Sequence, residues 1–123
     1  TLVGYGPTVR TALQAAAVAQ EEGRSIEVID LRSISPIDFD TVQRSVEKTG
    51  RLVTVHEAPV FFGAGAEVAA RISERCFYHL EAPVLRVGGF HSPYRRRAWR
   101  RSTFPGSTGC STVSTAHWRT ERG

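Results

Sequence analysis

The sequence contains no methionine and only two cysteines, Cys76 and Cys110, among its 123 residues. Cysteines this far apart fit neither a disulfide framework nor a C-x-x-C metal pair, and Cys76, inside a helical pattern, reads as a buried thiol in a reducing compartment. No apolar run approaches the ~20 residues that cross a bilayer, and no charged-then-apolar leader is visible, so neither a membrane-spanning helix nor a secretory signal is expected. A Gly-x-Ser-x-Gly elbow and a Gly-Lys-Ser/Thr phosphate loop are both missing. The chain opens at Thr1 directly into a strand-like run, which predicts a piece of a longer or processed protein.

What is present divides in two. The chain is 41% hydrophobic, enough for one modest core. Its net charge of +4 is unevenly placed: residues 1–94 carry nine Lys/Arg against eleven Asp/Glu, whereas residues 95–123 carry seven Arg against Glu121 alone. A uniformly basic protein would suggest nucleic acid, but here the excess sits entirely in the last 29 residues. Only seven of those 29 are hydrophobic and nine are Ser or Thr, so this segment is predicted to be irregular or disordered.

Residues 1–94 alternate strand and helix patterns. Strands are predicted over 1–5, 25–31, 51–56 and 83–88, where β-branched residues concentrate. A first helix starts near Pro7, with Thr8 as capping hydroxyl, carries Val9, Ala12, Leu13, Ala16 and Ala17 as its apolar positions, and stops at Gly23. A second, capped by Asp38, carries Phe39, Val42 and Val46 and ends at Gly50. A third follows a loop containing Pro59, Gly63 and Gly65, and runs through Ala66, Ala69, Ala70, Ile72 and Phe77. The βαβαβαβ order predicts a three-layer α/β/α domain with a mostly parallel sheet.

Few side chains suggest chemistry. Gly63-Ala64-Gly65 before a helix invites a phosphate cradle, but Val68 stands where a dinucleotide fingerprint needs its third glycine, and a tight turn is the plainer reading. His56 and Glu57 follow the third strand, where α/β sheets place ligand sites. Consecutive side chains of a strand point to opposite faces, which favours a structural or interface role over acid–base catalysis. His79, at a helix end, suits the macrodipole; with His91, His117 and Cys76 it lacks zinc-ligand spacing. Phe61 and Phe62 stand in a loop before the glycines, and adjacent loop aromatics point to partner contact. The predicted interface is thus His56, Glu57, Phe61, Phe62, Gly63 and Gly65.

A series of motifs in fixed order carries a resemblance. It runs through Val3-Gly4-Tyr5-Gly6, Glu27-Val28-Ile29-Asp30-Leu31-Arg32, Ser35-Pro36-Ile37-Asp38 and Thr49-Gly50-Arg51-Leu52-Val53. It continues through His56-Glu57-Ala58-Pro59, Gly63-Ala64-Gly65-Ala66-Glu67 and Leu80-Glu81-Ala82-Pro83-Val84. Over residues 1–94 the chain resembles the C-terminal, transketolase C-terminal-like domain of the β subunit of thiamine-diphosphate 2-oxoacid dehydrogenases. The His56–Pro59 and Leu80–Pro83 motifs look more like the branched-chain enzymes than the pyruvate enzymes.

The resemblance implies a parent that oxidatively decarboxylates a branched-chain 2-oxo acid and passes the acyl group to lipoyl. It also implies that thiamine diphosphate and a divalent metal are held by the α subunit and by the β subunit's preceding pyrimidine-binding domain. No catalytic, cofactor-binding or metal-binding residue is therefore expected in this chain, which alone should be inactive. The expected role is assembly with an α subunit and a second β subunit in a heterotetramer, and docking of the lipoyl acyltransferase's subunit-binding domain. Neither specific nucleic acid nor membrane is an expected partner. The implied location is bacterial cytoplasm or mitochondrial matrix. The alternatives are a pyruvate dehydrogenase β subunit, a self-standing α/β regulatory or binding module, and a basic-tailed nucleic-acid binder.

After Ser92-Pro93-Tyr94 the family continues with two prolines, an acidic helix start and a final amphipathic helix, where this chain turns to arginine. Back-translating residues 95–121 with GC-rich codons and moving the frame by two nucleotides reads P-P-R-L-E-E-E-Y-L-P-G-L-D-R-V-L-D-G-V-D-R-A-L-A-Y and then stops. Residues 95–123 are accordingly expected to be a frameshift product, with impaired docking of the acyltransferase.

Overall fold

The computed structural model describes residues 1–90, and its elements follow the alternation in the sequence. Strands β1 (Leu2–Gly4), β2 (Val28–Asp30), β3 (Val53–Pro59) and β4 (Leu85–Gly89) are joined by helices α1 (Thr8–Glu21), α2 (Phe39–Thr49) and α3 (Ala64–Arg75). All strand pairings are parallel, in the order β2-β1-β3-β4. Parallel pairing needs a crossover for each connection, and crossovers are right-handed. The step from β1 to β2 runs one way across the sheet and the later steps run the other. That places α1 on one face and α2 with α3 on the opposite face, the three layers predicted.

Two apolar clusters fill the space between the layers. Val3 and Leu52 meet Val42 and Val46 of α2, Val68 and Ile72 of α3, and Cys76. On the other face Leu2, Val53, Val55 and Val87 meet Ala12 and Ala15 of α1. The strand period of two sorts these residues: Val53 and Val55 turn to α1, so Thr54 and His56 turn to α3. Cys76 is fully buried, as its helical context predicted, and burial pushes its thiol pKa up.

Helix α2 forms as read. Asp38 caps it by accepting a hydrogen bond from the Thr41 backbone N–H at 3.0 Å, and Gly50 ends it in the left-handed region at φ 70°. Helix α1 differs from expectation. Pro7 is its first flanking residue, and the Thr8 hydroxyl donates to the carbonyls of Tyr5 and Val55 instead of capping. Its buried stripe is Thr8, Ala12, Ala15 and Ala19, while Leu13 is exposed. Val9, Leu13 and Ala17 also repeat at helical spacing on the adjoining face, so the sequence left the choice of face to the sheet. Helix α3 starts earlier than predicted, so Gly65 lies inside it and Gly63 flanks it; its buried positions are Gly65, Val68 and Ile72. Pro59 belongs to β3 and not to the loop. Phe77 and His79 fall beyond the end of α3, in turns closed on the Cys76 carbonyl. The predicted irregular segment 95–123, with Cys110 and His117, lies outside the described residues, as does His91. Among the described residues no helix is long and apolar enough to cross a membrane.

Candidate functional site

The predicted interface residues gather where β3 leaves the sheet and turns into α3. Val55 pairs with Val87, and the register then slips, so that Pro59 pairs with Gly89. Three residues of β3, His56 to Ala58, thus stand against Gly88 alone on β4. His56 is 1% exposed, and its Nδ1 lies 2.8 Å from the Ala58 carbonyl oxygen. A carbonyl only accepts, so that bond assigns the proton to Nδ1 and leaves Nε2 as a bare lone pair. Among the described residues neither Nε2 nor the hydroxyl of neighbouring Thr54 has a hydrogen-bond partner.

Three glycines make room for this ring. A Cβ at Gly63 would lie 2.6 Å from His56 Cε1, and one at Gly65 2.5 Å from Nε2 and 2.7 Å from the Thr54 hydroxyl. One at Gly88 would lie 3.1 Å from Cε1 and 2.7 Å from the Ala58 carbonyl. The Gly63–Gly65 pair therefore serves close approach of an imidazole to the first turn of α3. The Tyr5 ring stacks on His56 at 6.0 Å between centroids, with the planes 24° apart.

Charge at this site follows from burial. Desolvation lowers the His56 pKa below its ordinary value; the Ala58 bond opposes that shift, and Arg86 adds to it. Burial, with Glu57 nearby, raises the Tyr5 pKa. Glu57 itself faces solvent, so the two adjacent side chains do part to opposite sides of the strand. They do not converge on one reacting atom.

Beyond the glycines the loop turns outward. Phe61 and Phe62 meet edge to face at 4.5 Å and are 64% and 91% exposed. Phe62 sits at φ 55°, a left-handed conformation that side chains other than those of Asn, Asp and Gly seldom adopt. The backbone thus bears strain while holding an aromatic ring in water. Phe90, at the end of β4, is also exposed. Such rings, on a loop anchored by a buried ring, form a rigid apolar projection suited to a partner surface.

The sequence reading brought together His56, Gly63 and Gly65, which touch, and Phe61 with Phe62, which also touch. It missed Tyr5, Thr54 and Gly88 around the imidazole. Gly88 carried a usable signal, because a glycine within a strand pattern marks close approach of other atoms. Among the described residues no three His, Cys, Asp or Glu side chains lie together as metal ligands. Among the described residues the site brings together neither a ligand set for a divalent metal nor an acid–base pair.

Comparison with known proteins agrees with the fold. The transketolase C-terminal domain family matches residues 1–109, past residue 94, where the sequence reading ended the domain. The chain is 57% identical over 94 residues to the pyruvate dehydrogenase E1 component subunit β of Leifsonia xyli, covering 76% of this chain and 28% of that protein. It is 51% identical over 107 residues to the 3-methyl-2-oxobutanoate dehydrogenase subunit β of Mycobacterium tuberculosis, covering 86% of this chain and 31% of that protein. The 2-oxoisovalerate dehydrogenase subunit β of Dictyostelium discoideum, a mitochondrial protein, is 53% identical over 95 residues, 76% of this chain and 26% of its own length. A solved split-gene transketolase, described as an inactive β4 tetramer, superposes with a TM-score of 0.77 at 26% identity, covering 94% of this chain and 37% of that one. The chain thus spans less than a third of the length of the curated relatives it matches. It belongs to the transketolase C-terminal domain family, among relatives that are β subunits of pyruvate and branched-chain 2-oxoacid dehydrogenases.

Proposed function

We propose that this domain is the assembly domain of a 2-oxoacid dehydrogenase β subunit, joining it to an α subunit and a second β subunit. The observation that carries this reading is identity of 51–57% to such subunits over most of the chain. The exposed Phe61–Phe62 pair supports it by supplying an apolar anchor. The parent enzyme would decarboxylate a 2-oxo acid with thiamine diphosphate and a divalent metal held outside this domain, and would pass the acyl group to lipoyl. This domain alone would turn nothing over. The His56–Pro59 and Leu80–Pro83 motifs support a branched-chain substrate; the Leifsonia relative keeps pyruvate as the second reading.

A chimera tests the assembly role. Residues 1–94 replace the matching segment of the M. tuberculosis β subunit, with that subunit's own ending retained. The chimera is expected to copurify with its α subunit and to oxidise 3-methyl-2-oxobutanoate. A folded chimera that stays apart from the α subunit would sink the reading. For residues 95–123 we propose a displaced reading frame, supported by the change of composition at residue 95 and by the coherent alternative peptide. Resequencing the gene across that point tests it, and an unchanged single frame would refute it.

A further inference from the structure

We propose that His56 is an acid-sensitive latch: its uncharged ring holds the segment Glu57–Gly65 closed, and protonation at Nε2 releases that segment with its two phenylalanines. The inference concerns the chain's own conformation and stands whether or not the phenylalanines meet a dehydrogenase subunit.

Four features build the latch. The ring spans the slipped register of β3 and β4 and ties back the Ala58 carbonyl through Nδ1–H at 2.8 Å. Gly63, Gly65 and Gly88 close on it so tightly that no methyl group fits at any of the three. Nε2 has no partner among the described residues, so a proton added there would gain no acceptor. It also lies beside the first turn of α3, where backbone N–H groups carry partial positive charge.

The charged and titratable neighbours do not offset that penalty. From β4, Arg86 adds a second positive charge, and its Nη1 lies 3.5 Å from the Val60 carbonyl of the same loop. From β1, Tyr5 brings a neutral phenol. On β3 the Glu57 carboxylate faces solvent. On α3 the Glu67 carboxylate is bound by Arg71 Nε at 2.8 Å. A charged imidazole is therefore better accommodated once the segment has opened and water reaches it. The direction follows by linkage. With the native pKa below the ordinary imidazole value, the closed form is fully favoured above about 6.5, and loses ground as pH falls from there toward the native value.

Hydrogen exchange on the full 123-residue chain, corrected for intrinsic rates and read amide by amide by NMR between pH 7.5 and 4.5, tests the latch. The opening constant of residues 57–65 is expected to rise roughly tenfold per pH unit below the ordinary imidazole value, levelling off once His56 has titrated. Amides of α2 should not follow. The His56 imidazole nitrogen signals, recorded in the same samples, should titrate at the pH where that rise levels off. In His56→Asn the side-chain amide can still donate to the Ala58 carbonyl but carries no proton switch, and the pH response should vanish. If that variant does not fold, agreement between the imidazole titration and the wild-type exchange decides. A pH-independent segment, an equal rise across α2, or a response that persists in His56→Asn would each overturn the latch.

Discussion

Glycine inside a helix ordinarily costs about 1 kcal/mol relative to alanine, and Gly65 lies in the first turn of α3. Its use is steric, since a Cβ there would sit 2.5 Å from His56 Nε2 and 2.7 Å from the Thr54 hydroxyl. Overpacking a filled site costs about 1–3 kcal/mol, which outweighs the helix-propensity gain. Gly65→Ala is therefore expected to destabilise the domain by up to about 2 kcal/mol in urea denaturation. The double variant His56→Ala, Gly65→Ala should show less loss than the two single changes summed, because the clash with the ring is gone and only the Thr54 hydroxyl contact remains. Strict additivity would mean that the ring and the glycine do not press on each other. None of this contact was readable from residues 56 and 65 alone, because ring and glycine meet only when α3 docks over β3.

At the scale of the element, α2 was the most legible. Asp38 at one end, Gly50 at the other, and Val42 with Val46 on one face all carry local information, and each does in the structure what its chemistry suggests. The Thr41 hydroxyl and backbone N–H both donate to the Asp38 carboxylate and hold its pKa below the usual carboxylate value. A depressed native pKa means that the cap's contribution is present above about pH 4 and is lost as pH falls through the native value. Asp38→Ala should increase amide exchange in the first turn of α2 at pH 7 and much less at a pH below the native value. An equal effect at both pH values would show that the carboxylate is not the cap. By contrast α1 offered two adjoining stripes at helical spacing, Ala12, Ala15 and Ala19 beside Val9, Leu13 and Ala17, so spacing alone did not name the buried one. The start of α3 was obscured by a glycine that helix propensity argues against.

For the whole molecule, the outward loop decides what the domain can join. Phe62 bears a left-handed backbone and an exposed ring, and aromatic anchors at interface centres typically contribute about 2 kcal/mol or more. In the chimeric β subunit, Phe62→Ser is expected to weaken assembly with the α subunit roughly thirtyfold by sedimentation analysis, with the domain's own melting temperature unchanged. Unaltered assembly would remove Phe62 from the interface. The order of strands and helices, the caps of α2, the burial of Cys76 and the family resemblance were all legible along the chain, because propensity, capping and period depend on residues a few positions apart. The sheet order, the side of α1 that turns inward and the enclosure of His56 by residues 63, 65 and 88 came only with the tertiary structure. Those features depend on which atoms compete for one volume, and positions distant in sequence share a volume only once the layers have packed.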